Sequence, residues 1–103
     1  MFTQEDCIPQ SQIHSNYENQ VLVLNPNHLT LEYRKKEFQL WKATGGFGCK
    51  PKNLGTAVFS TCLADGEPTR WERYDFLGVV KPEVLAAFKA ANPDLLAKVL
   101  DPQ

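Results

Sequence analysis

Three absences bound this chain of 103 residues. No apolar run approaches the ~20 residues that a membrane-spanning helix needs. No CxxC pair occurs, and the three cysteines, Cys7, Cys49 and Cys62, cannot all pair with one another. No Lys or Arg falls in residues 1–31, where Glu5, Asp6 and Glu18 carry the only formal charges. The start, MFTQEDC, is acidic and has no apolar segment of the kind a signal peptide requires. The expectation is a cytoplasmic protein, with no membrane contact and with free, mostly buried thiols.

The same scarcity limits chemistry. His14 and His28 do not combine with the cysteines at any zinc spacing, so no metal is expected. Gly45-Gly46-Phe47-Gly48 is neither a dinucleotide fingerprint nor a Walker loop, and no helix follows it to offer amides to a phosphate. It shares letters with the RNP1 motif of RNA-recognition domains, but Cys49-Lys50-Pro51 breaks the strand that motif needs. No cofactor is implied. No catalytic residue stands out either. Asp65 and Glu67 belong to a turn, Asp75 has Arg70 and Arg73 near it for ion pairing, and no cysteine has a histidine beside it in sequence.

What remains is ordinary for one globular domain: 43% hydrophobic residues, 22% charged and a net charge of −1. Near-neutral charge gives no global attraction to nucleic acid. Locally, Arg34, Lys35, Lys36, Lys42, Lys50 and Lys52 face only Glu32 and Glu37 across residues 32–52, a local +4.

Residues 1–20 sustain no periodicity and read as an irregular arm; residues 21–103 read as a single α+β domain. Val21 to Leu24 is a continuous apolar strand. Asn25-Pro26-Asn27 turns the chain into Leu29–Arg34, whose alternation reads as the second strand of a hairpin. A third strand is expected over Glu37–Ala43. Thr44 to Gly55, with four glycines, reads as a long, mobile loop. Thr56–Leu63 and Trp71–Val80 form a hairpin about Asp65-Gly66, with Trp71 opposite Ser60 or Thr61. Pro82 opens a helix and Asn92-Pro93 opens another. The expectation is an antiparallel sheet of about five strands, with a partly open barrel as the alternative, followed by two short C-terminal helices.

Function is read from surface chemistry. Trp41, Gly45, Gly46, Phe47, Gly48, Lys50, Lys52, Trp71 and Arg73 are the expected binding residues. Phe47 between glycines is an apolar anchor on an adaptable tip, and aromatics with cations suit a protein interface or stack on single-stranded nucleic acid. A non-catalytic interaction or regulatory module is the first expectation, a nucleic-acid-binding domain the second and a small enzyme the third. Leu95, Leu96, Val99 and Leu100 give the last helix an apolar stripe suited to a homodimer.

Overall fold

A strand with no polar residue at alternate positions needs cover on both faces. Val21–Leu24 meets that need in the computed structural model, which describes residues 1–50 and 52–94. All four side chains are buried. This strand, β2, lies within one antiparallel sheet with β1 (Cys7–Ile8), β3 (Leu40–Gly45), β4 (Ala57–Cys62), β5 (Pro68–Glu72) and β6 (Phe76–Val80). The spatial order is β1-β6-β2-β3-β4-β5. A single helical turn, α1 (Lys36–Gln39), precedes β3, and the helix α2 (Pro82–Ala91) follows β6. The class is α+β, with six strands rather than five.

The sheet is rolled but not closed. From β6 to β5 there are four inter-strand steps, which would span about 19 Å in a flat sheet. Only the 3₁₀ turn Arg73–Asp75 connects them, and such a link reaches at most about 14 Å even fully extended. The sheet must therefore curl until the end of β5 approaches the start of β6. Register shifts between Val23 and Leu24 and between Ala43 and Gly45 supply bends of the kind bulges give. Gly78 allows β1 to close on β6, because a Cβ there would lie 2.3 Å from the Ile8 carbonyl oxygen.

Curling makes two cores. Inside the roll, Leu22 and Leu24 meet Trp41, Val58, Cys62, Phe76 and Val79. On the other face, Val21 and Val23 meet Phe2, Cys7, Leu40, Leu63 and Val80, covered by Val84, Leu85 and Phe88 of α2. Removing one such leucine, Leu24→Ala for example, typically costs about 3 kcal/mol.

Several expectations change. The arm at 1–20 is built into the fold: β1 pairs with β6, and Phe2, Cys7 and Tyr17 are buried. Gln39, fully buried, fixes it by accepting from the Phe2 N–H and donating to the Phe2 and Leu24 carbonyls. Leu29–Arg34 is not a strand. Residues Pro26–His28 and Leu31–Tyr33 form 3₁₀ turns, because both edges of β2 are already taken by β3 and β6. Glu37–Gln39 is helical, and β3 begins only at Leu40.

The β4–β5 hairpin pairs Val58 with Trp71 and Ser60 with Thr69, not Ser60 or Thr61 with Trp71. Leu63 is drawn into the core, its N–H donating to the Leu40 carbonyl. The turn therefore takes four residues, with Cys62 N–H bonded to the Glu67 carbonyl and Gly66 at φ 76°. Trp71–Val80 is two strands in different parts of the sheet. The second expected helix, with Leu95, Leu96, Val99 and Leu100, lies outside the described residues.

Candidate functional site

The glycine loop is tied down from below. Phe47–Cys49 forms a 3₁₀ turn whose Gly48 and Cys49 are buried. Tyr17 donates its hydroxyl to the Gly48 carbonyl at 2.6 Å and its N–H to the Cys49 carbonyl at 3.1 Å. Arg73, in the turn after β5, donates to the carbonyls of Lys50, Asn53 and Gly55 at 3.1–3.2 Å. A guanidinium has five donors in a rigid fork, so one side chain can gather several loop carbonyls. The Arg73 N–H meets the Thr56 carbonyl, and the Thr56 hydroxyl donates to the Glu72 carboxylate. Arg73 is thus a clasp rather than a free cation. The many fixed carbonyls argue against the freely moving loop that the glycine content suggests.

Above this base the loop presents Phe47, 60% exposed. Its ring lies against Gly55, and the Lys50 ammonium sits 5.6 Å from the ring centroid. Lys50 and Lys52, with His14, Asn16 and Asn53, border a shallow depression of about 270 Å³.

A second cleft, also about 270 Å³, opens between the β2–β3 connection and the β4–β5 hairpin. The connection contributes His28, Leu29, Thr30, Tyr33 and Phe38; the sheet contributes Trp41, Cys62, Asp65 and Trp71. The rings are packed edge to face. Trp41 and Trp71 meet at 5.5 Å, and Tyr33 and Phe38 at 5.1 Å. Trp41 is only 6% exposed, and its indole N–H donates to the Phe38 carbonyl at 2.8 Å. Trp71 is half-buried, and its indole nitrogen is buried with no hydrogen-bond partner among the described residues. His28 stands 6.0 Å from the Trp71 ring, with its Nε2 3.3 Å from Asp75 Oδ1.

The nine expected binding residues therefore divide. Trp41 and Trp71 belong to the aromatic cleft, and Trp41 reaches it only as wall. Gly45, Gly46, Phe47, Gly48, Lys50 and Lys52 belong to the loop. Arg73 joins the two regions, two residues from Trp71 in sequence and hydrogen-bonded to the loop. His28, Leu29, Tyr33, Phe38 and Asp65 were not expected. The usable signal was a fifteen-residue segment between β2 and β3 carrying two aromatic residues.

The thiols are poor nucleophiles. Burial, reinforced by Asp6, raises the Cys7 pKa to about 11. Burial likewise raises that of Cys62 to about 11, and burial with Glu18 nearby raises that of Cys49. All three are free and buried. Among the described residues no His, Cys, Asp and Glu side chains group to hold a metal, and no helix is long and apolar enough to cross a membrane.

A larger groove of about 420 Å³ lies on the outer face, between Phe2 and the Val84, Ala87, Phe88 and Ala91 side of α2. It ends at Ala91, the last residue of α2, and residues 95–103 lie outside the described part. Comparison with protein-family models, curated proteins and solved structures finds no match to this chain.

Proposed function

We propose that this protein is a non-catalytic cytoplasmic interaction module that recognises a segment of a partner protein through the aromatic cleft and the clasped glycine loop. The observation that carries the reading is the cleft itself: aromatic walls, half-exposed Tyr33 and Asp65 at the opening. Sites of this kind, apolar with a few placed polar groups, serve as anchor pockets in protein recognition. Phe47 adds an exposed aromatic on a loop whose base is fixed, which lowers the ordering cost of binding. Free thiols are consistent with a reducing compartment.

Single-stranded nucleic acid is the weaker fit, because it needs cations beside the stacking rings. Arg73 is bonded to loop carbonyls, Arg70 pairs with Glu72 at 3.0 Å, and Lys50 covers Phe47. Affinity isolation with the wild type and with a Tyr33→Ala, Phe47→Ala double variant tests the proposal. Both side chains are at least half exposed and keep one ring contact each, so each change should cost no more than about 0.5–1 kcal/mol of stability. The wild type should retain a protein that the variant loses. Bound nucleic acid in the eluate, or a partner kept equally by both forms, would overturn the proposal.

A further inference from the structure

The aromatic cleft carries charge of one sign. Among the described residues no Lys or Arg lines it, while Asp65 stands exposed at its rim. Asp75, the other nearby carboxylate, is already engaged, by His28 at one oxygen and by the Glu72 N–H at the other. Asp65 accepts a single backbone hydrogen bond, from the Glu67 N–H, with some further contact to the Cys62 thiol. A carboxylate offers about four acceptor sites, so Asp65 keeps capacity for a bidentate donor. The chain's own guanidiniums are already engaged: Arg34 on the carbonyl of Leu29, itself a cleft wall, Arg70 on Glu72 and Arg73 on the loop.

Resting on the reading of the cleft as a protein-binding site, we infer that its occupant is an arginine side chain of an extended partner segment, stacked on Trp71 and Tyr33 and bonded to Asp65. A guanidinium is the group whose chemistry suits the rings, the apolar walls and the Asp65 carboxylate together. Its plane stacks on aromatic faces and is weakly hydrated. Its paired N–H groups match a carboxylate. Its three-carbon stem packs against apolar walls such as Leu29 and Phe38. Lysine brings a point charge that uses neither the planar rings nor the two carboxylate oxygens together. An acidic or phosphorylated segment would meet Asp65 and be repelled.

Both tryptophans of the chain line this cleft, so indole resonances report on it directly. The test is two-dimensional NMR of the full isotope-labelled chain with capped pentapeptides, Ala-Ala-Xaa-Ala-Ala, where Xaa is Arg, Lys, Leu or Glu. The Arg peptide should shift the Trp71 indole N–H and the Tyr33 and Asp65 amides, with a Kd about tenfold below that of the Leu peptide. Asp65→Asn, which keeps the turn acceptor for Glu67, should weaken the Arg peptide about five- to tenfold and leave the Leu peptide unchanged. Leu binding at the same resonances as tightly as Arg overturns the inference while the protein-binding reading stands. Equal binding by Lys, or indifference of the Arg peptide to Asp65→Asn, overturns the guanidinium assignment. No cleft shift with any peptide up to about 10 mM, the limit of weak anchor binding, overturns the inference and the reading together.

Discussion

Two long connections in the fold, those on either side of β3, are held in opposite ways. Residues 25–39, between β2 and β3, are built mainly by near neighbours. Asn25 caps the turn at Asn27, successive N–H groups bond three residues back, and Arg34 returns to the Leu29 carbonyl. Residues 46–56, between β3 and β4, are held from a distance: Tyr17 lies about thirty residues away in sequence, and Arg73 about twenty. The segment with four glycines from Thr44 to Gly55 is therefore the one gathered by tertiary contacts. The segment rich in large side chains leaves Leu31 82% and Tyr33 50% exposed. Glycine here serves close approach rather than motion, and the exposed rings beside the cleft rest on local turns.

The largest expected effect follows from that contrast. A Cβ at Gly48 would lie 2.3 Å from the Thr56 carbonyl oxygen and 2.7 Å from a Val58 methyl. One contact is backbone and the other is core, so neither can move cheaply. Gly48→Ala should cost about 3 kcal/mol, in the upper range for overpacking, read as a fall in the urea midpoint. Leu31→Ala, in the other connection, should stay within about 0.5 kcal/mol, as for an exposed site. Similar losses from the two substitutions would erase the distinction between the connections.

A smaller effect is expected from the clasp. Arg73→Met keeps the apolar stem and removes the donors that hold Lys50, Asn53 and Gly55. Hydrogen bonds from a charged donor are worth about 1.5–3 kcal/mol each. These carbonyls are near the surface and regain water, so a total of about 2 kcal/mol is expected. The location of the loss matters more than its size. Amide exchange at Cys49, Lys50 and Asn53, whose N–H groups bond within the loop, should accelerate. Exchange at His28, Leu29 and Tyr33 should not. Acceleration in both connections would mean that Arg73 supports the whole rolled sheet rather than the loop.

Patterns that depend on one strand or one helix turn were legible in the sequence. Val21–Leu24 reads as a strand because it is a continuous apolar run, and Pro82 marks the start of the helix that proves to cap the outer core. Patterns that depend on a partner were not. The alternation Leu29, Leu31, Tyr33 has strand period, yet only Leu29 packs against the core while Leu31 and Tyr33 face water. The hairpin register turned on Leu63, whose pull into the outer core lengthens the turn that Asp65-Gly66 alone would have made tight. Trp41 and Trp71 were expected together and do meet. The other walls of their cleft come from a segment mistaken for a strand. Arg73 looked like a binding cation because its carbonyl partners are spread over a loop with no acidic residue to announce them.

The smallest stability effect should fall on Phe47, where the two uses of the glycine loop separate. Gly48 and Cys49 beneath it are buried, whereas Phe47 keeps 60% of its surface exposed. Its contacts are one flank against Gly55 and the Lys50 ammonium over its face. An exposed cation–π contact contributes about 0.5–1 kcal/mol, and part of that is offset by freeing two side chains. Phe47→Ala should therefore lower stability by no more than about 0.5–1 kcal/mol, whereas truncating a core phenylalanine costs ~3–5. If Phe47 is an anchor for a partner segment, the same variant should weaken binding by about 1 kcal/mol or more, a fivefold or larger rise in Kd with an almost unchanged melt. A large loss of urea midpoint would show that the ring supports the loop from above as Arg73 does from below. The glycine loop would then be wholly structural, and recognition would fall to the aromatic cleft alone.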